Sequence, residues 1–148
     1  EDYSGEFAFA RVDSATVVRV GPLLLRAFPG QHSIESYGVR VEGPSEADPA
    51  RTASLFYTGD TDECPSIVKG ARGVDLLLSE VGFTAADQVR GIHMDGLRAG
   101  RVAAEAGAGA LVATHIQPWT SHELVRAELA RTWDGPLSFA RGGAVYEL

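Results

Sequence analysis

Residues 53–81 read A-S-L-F-Y-T-G-D-T-D-E-C-P-S-I-V-K-G-A-R-G-V-D-L-L-L-S-E-V. Ala53 to Thr58 has the composition of a strand, and Gly59-Asp60 turns the chain. Pro65 opens a short helix over Pro65 to Arg72, where its missing N–H costs nothing. Asp75 to Val81 is again a strand. Downstream the alternation continues. Leu97 to Ala106 carries Ala, Arg and Glu at helical spacing and stops at Gly107, and Ala110 to Thr114 is an apolar strand. Thr120-Ser121-His122-Glu123 has the pattern of a capping box, with Thr120 as N-cap, opening a helix to about Trp133. Upstream of residue 53 only strands are expected: Phe7 to Val12, Ala15 to Val20, Leu23 to Phe28 stopped by Pro29-Gly30, and Ser36 to Glu42. Gly43 to Arg51 is the clearest loop. Leu137 to Ala140 and Ala144 to Leu148 read as a closing hairpin around Gly142-Gly143. Strands first, then strand–helix alternation, predict an α/β fold forming half of a layered sandwich.

The chain has 148 residues with a net charge of −7. It is long enough for one domain to bury a sizeable core. Its longest apolar run, Pro22 to Leu25, is too short to cross a bilayer. The single cysteine, Cys64, excludes a disulfide scaffold and a CxxC zinc ribbon, and suits a reducing, cytoplasmic compartment. An acidic surface repels phosphate backbones and argues against a broad nucleic-acid footprint, although bound metal ions can reverse that sign locally. The chain begins at Glu1, so removal of a signal peptide, trimming or proteolysis would each account for its start.

Four histidines are present, and three lie at element edges. His32 precedes a strand, His93 lies between a strand and a helix, and His115 ends the strand V-A-T-H. Asp60 also follows a strand. Strand ends are where α/β sheets place ligands. His122 reads as a surface residue, Cys64 as structural, and G-A-R-G at 70–73 lacks the lysine and spacing of a phosphate loop.

F-P-G-Q-H-S-I-E-S-Y-G-V-R-V-E, L-F-Y-T-G-D-T, G-V-D-L-L-L-S-E-V, H-M-D-G-L-R-A-G-R-V-A-A-E-A-G and L-V-A-T-H-I-Q-P-W follow one another from Phe28 to Trp119. Together they resemble the second half of the metallo-β-lactamase superfamily, in particular its ribonuclease Z-like and cyclic-nucleotide phosphodiesterase branch. The resemblance implies the C-terminal half of an αββα sandwich over residues 1–148, a mixed sheet with helices on one face. It implies two divalent metal ions, zinc or manganese, in the full-length parent. His32 matches a ligand of the first metal, Asp60 the carboxylate bridging both, and His115 a ligand of the second. His93 matches a histidine held near the scissile phosphate. Neutral imidazoles and carboxylates suit such ions.

Two departures accompany the match. Asp95 stands where the family usually has Ser or Thr, and Arg98 where it often has Glu. The H-x-H-x-D-H motif of the family's N-terminal half is absent from these residues. Two ligands per ion make a poor site, so the 148 residues alone are expected to bind metal weakly or not at all and to be inactive. An open apolar sheet face, drawn from Leu76, Leu78, Leu111, Ala113 and their neighbours, is expected to associate with the N-terminal half or with a second copy. The expected substrate is a small phosphodiester such as a cyclic nucleotide. A tRNA 3′-processing endonuclease and a non-catalytic dimerisation or binding module are the alternatives.

Overall fold

The computed structural model describes residues 5–148. Seven strands form one sheet in chain order: β1 (Val17–Val20), β2 (Leu23–Pro29), β3 (Tyr37–Pro44), β4 (Thr52–Tyr57), β5 (Leu76–Glu80), β6 (Leu111–Thr114) and β7 (Leu137–Phe139). β1 to β4 pair antiparallel, and β4 to β7 pair parallel. Helix α1 (Pro65–Ala71) connects β4 to β5, α2 (Gly96–Ala106) connects β5 to β6, and α3 (His122–Leu129) connects β6 to β7. The switch from hairpins to helical crossovers at Asp60 is the feature read from residues 53–81. Parallel neighbours need a long crossover, and a helix supplies it.

All three helices cover one face of the sheet. Ile67, Val102 and Leu129 from the helices share one buried cluster with Phe56, Leu77 and Leu111 from the strands. Register and side-chain alternation then assign the opposite face. Leu25, Val41 and Leu55 are cross-strand neighbours there, as are Val39 and Tyr57. Tyr57, Leu78 and Val112 continue the same row into the parallel strands. Leu111 and Ala113, expected on the open face, instead point into the helix-covered core. Tyr146 and Leu148 border this open face, and Ser45 Oγ donates to the Leu148 carbonyl at 2.6 Å.

Several local expectations need correction. Residues 7–12 form no strand, and Phe7 and Phe9 are exposed; with no partner strand beside them among the described residues, alternation alone does not make a ladder. The cap of α3 is Ser121, which accepts from the Leu124 N–H at 3.4 Å, so the helix starts one residue later than a Thr120 cap would set it. The closing hairpin does not form. β7 pairs parallel with β6, and residues 140–148 leave the sheet.

Candidate metal centre

The topology gathers one end of four strands. β2 and β4 are both antiparallel to β3 and therefore parallel to each other, and β5 and β6 run with β4. Segments leaving β2, β4, β5 and β6 emerge along a single carboxyl edge. His32 follows β2, Asp60 follows β4, Glu80 ends β5, and His115 follows β6. His93 returns to this edge on the loop leading into α2.

Hydrogen bonds tie these loops together. The Gln31 N–H donates to Thr61 Oγ1 at 2.8 Å, and the Asp62 N–H donates to the Gln31 carbonyl at 2.8 Å. Ser36 Oγ donates to the Asp60 carbonyl at 2.7 Å. Gly59 permits the turn: its φ is +61°, and a Cβ would lie 2.5 Å from the Tyr37 carbonyl oxygen. His115 also takes a left-handed φ, of 57°, without being glycine. Such backbone costs about 1–3 kcal/mol and concentrates at functional sites.

The side chains converge. One ligand atom each from His32, Asp60 and His93 lies within 4.8 Å of the others, and the same holds for Glu80, His93 and His115. His93 stands between the other two histidines, with ring centroids 5.1 Å from each. His115 Nδ1 lies 3.3 Å from Asp60 Oδ1. Imidazoles and carboxylates at this spacing, with His32, Asp60 and His93 half-buried, His115 exposed and Glu80 buried, fit a divalent transition metal. When bound, such an ion supplies Lewis acidity and an activated water.

Glu80 is the site residue that the sequence reading passed over, because it sits inside the strand pattern L-L-L-S-E-V. It is fully buried. One oxygen lies 2.9 Å from His93 Nδ1 and accepts from the Thr61 N–H at 2.9 Å and from the Met94 N–H at 3.3 Å, and the other accepts from the Gly82 N–H at 2.8 Å. Burial pushes this carboxyl up to about 7, while the Thr61, Gly82 and Met94 N–H groups and the nearby His115 pull against that rise. An ionised Glu80 holds the proton of a neutral His93 on Nδ1 and leaves Nε2 as a free lone pair. The signal for Glu80 in the sequence was a lone carboxylate at the carboxyl end of an otherwise apolar strand.

Asp95 and Arg98 turn away from the cluster. Asp95 caps α2 by accepting from the Arg98 N–H at 2.9 Å, and its other oxygen accepts from Arg98 Nε at 3.0 Å. The carboxylate that departs from the family pattern is therefore paired internally. His122 is exposed and stacks on Phe139, as a surface residue. Cys64 precedes α1 and joins neither histidine cluster.

A family model described as a beta-lactamase superfamily domain matches residues 4–116. The chain belongs to the metallo-β-lactamase superfamily. Membership of this family implies a divalent metal. A protein of Mycobacterium leprae is 39% identical over 132 residues, 88% of this chain and 44% of that protein. The metallo-β-lactamase fold protein YhfI of Bacillus subtilis is 32% identical over 128 residues, 86% of this chain and 50% of YhfI. Its crystal structure superposes with a TM-score of 0.79 at 29% identity, covering 91% of this chain and 54% of that one. A ribonuclease Z of Myxococcus xanthus is 36% identical over 99 residues, 64% of this chain and 32% of that enzyme. The chain thus spans about half or less of the length of these relatives. No helix among the described residues is long and apolar enough to cross a membrane.

Proposed function

We propose that the full-length protein is a dinuclear metal-dependent phosphodiesterase acting on a small phosphodiester such as a cyclic nucleotide. The observation that carries this reading is the convergence of His32, Asp60, His93 and His115 on one sheet edge, with His93 oriented by buried Glu80. In this reading His32 and Asp60 would hold one ion and Asp60 and His115 the other, with zinc or manganese as the metal. His93 sits between His32 and His115 and in this reading would stabilise charge on a bound phosphoryl group. In its protonated form it can also deliver a proton to the leaving oxygen.

The first test is hydrolysis by the metal-loaded full-length protein of a cyclic nucleotide, of bis(p-nitrophenyl) phosphate and of a tRNA precursor. Turnover of the first two with little cleavage of the third is expected. Preferential cleavage of the tRNA precursor would favour the ribonuclease Z alternative, to which the M. xanthus relative lends support. The net charge of −7 and the short loop at residues 45–51 weigh against gripping RNA.

The open face of the sheet supports a second part of the proposal. Leu25, Val41 and Leu55 form one cross-strand apolar row and Val39, Tyr57 and Leu78 a second, all partly exposed, and together they suit a second sheet from the remaining half of the relatives' length. Expressed alone, residues 1–148 are expected to self-associate through this face and to sediment above 15.7 kDa. A stable monomer at high concentration would count against that role.

A further inference from the structure

The buried pair Arg98–Asp62 belongs to neither histidine cluster, yet it joins the loops that carry three of the candidate residues. Arg98 lies in the first turn of α2 and is 1% exposed; Asp62 is 5% exposed. Arg98 Nη1 donates to Asp62 Oδ1, Nε donates to Asp95 Oδ2 at 3.0 Å, and Nη2 donates to the Val89 carbonyl at 2.8 Å. Asp62 Oδ2 accepts from the Gly91 N–H at 2.6 Å. The Asp62 N–H reaches back to the Gln31 carbonyl. Gln31 precedes His32, Asp62 lies two residues beyond Asp60, and Val89 and Gly91 belong to the loop that delivers His93.

We infer that Arg98 is a positioning residue: through Asp62 and Val89 it fixes the spacing between the His32–Asp60 loops and the His93 loop. Stability alone is a poor reason for this arrangement. A cation in the first turn of a helix opposes the helix dipole, and a buried ion pair is often matched or exceeded in stability by apolar side chains of similar volume. What the guanidinium supplies is a rigid fork that holds three acceptors in three fixed directions. A lysine has the charge but not the fork. Placing ligands to within fractions of an ångström needs this kind of outer support.

The inference rests on the reading that His32, Asp60 and His115 hold metal. Its test is Co²⁺ titration of the full-length protein, followed by visible absorption, alongside kcat and KM. The proteins are wild type, Arg98→Lys, Asp62→Asn and, as control, His115→Ala. Arg98→Lys and Asp62→Asn are expected to melt cooperatively, to bind Co²⁺ about 10-fold more weakly and to lose about 10-fold in kcat with little change in KM. If Arg98→Lys does not fold, the near-isosteric Asp62→Asn carries the test. Folded variants with wild-type Co²⁺ affinity, spectrum and kcat, and only a lower Tm, would overturn the inference, as would failure of both variants to fold. A wild type that binds no Co²⁺ removes the metal reading and this inference with it. Co²⁺ binding lost in His115→Ala but intact in both clamp variants removes the clamp alone.

Discussion

Replacing His115 by alanine in the full-length protein is expected to reduce hydrolysis by more than about 100-fold, beyond the range seen for outer-shell partners of a metal site. The fold should persist. His115 is exposed, lies past the end of β6, and contributes nothing to the buried cluster. Its side chain instead faces Asp60 and His93. The backbone adds a second expectation. At φ 57° an alanine inherits the left-handed strain that the histidine bears, whereas a glycine does not. His115→Gly should therefore be more stable than His115→Ala by about 1 kcal/mol, offset in part by the greater freedom of glycine in the unfolded chain. Denaturant midpoints and metal content of the two variants check this. Equal loss of metal with the glycine variant more stable is the expected outcome. Retained hydrolysis in either variant would remove His115 from the ligand set.

Replacing Glu80 by alanine should act on the fold as well as the site. Three backbone N–H groups and His93 Nδ1 converge on this one buried carboxyl. Removing it strands donors that no water reaches, and each stranded buried group costs about 1–3 kcal/mol. A total of about 3–5 kcal/mol is expected, as for loss of one member of a buried ionic pair. For a domain of this size that lowers Tm by roughly 10 °C or more. Glu80→Gln keeps an acceptor but turns its amide toward one donor, so about half that loss is expected. In both variants His93 loses the group that sets its tautomer, and kcat should fall further than stability alone accounts for. Thermal melts with single-turnover hydrolysis separate the two effects. A Tm within about 2 °C of wild type for Glu80→Ala would show that the carboxyl does not hold these loops.

These expectations also explain how much of the site was legible from the chain alone. Asp60 and His115 stood out because each sits just beyond an apolar run where a strand ends, whereas His32 and His93 stood out as histidines in loops between elements and within the motifs that carry the family resemblance. Glu80 did not, because its place within a strand pattern conceals that the N–H groups of three separate segments point at it. Asp95 and Arg98 were visible only as departures from a motif. That they pair with each other and with Asp62 depends on α2 and the 60–63 loop meeting in space.

The elements divide along the same line. Residues 53–81 determined the α/β class by themselves, because Pro65, the turn at Gly59-Asp60 and two apolar runs leave few alternatives to strand–helix–strand. Gly107, at φ +64°, likewise ends α2 for a purely local reason. The tertiary structure decided what local pattern cannot. Phe7 to Val12 alternates like a strand but has no neighbour to pair with among the described residues. β7 joins β6 in parallel rather than closing a hairpin, because it reaches β6 through the α3 crossover rather than a tight turn. Leu111 and Ala113 turn toward the helices because the register with Leu77 and Ser79 puts them on that face. Local sequence fixes where a strand or a helix starts and stops. Which face is buried, and which carboxylate lies against which histidine, follows from the pairing of segments far apart in the chain.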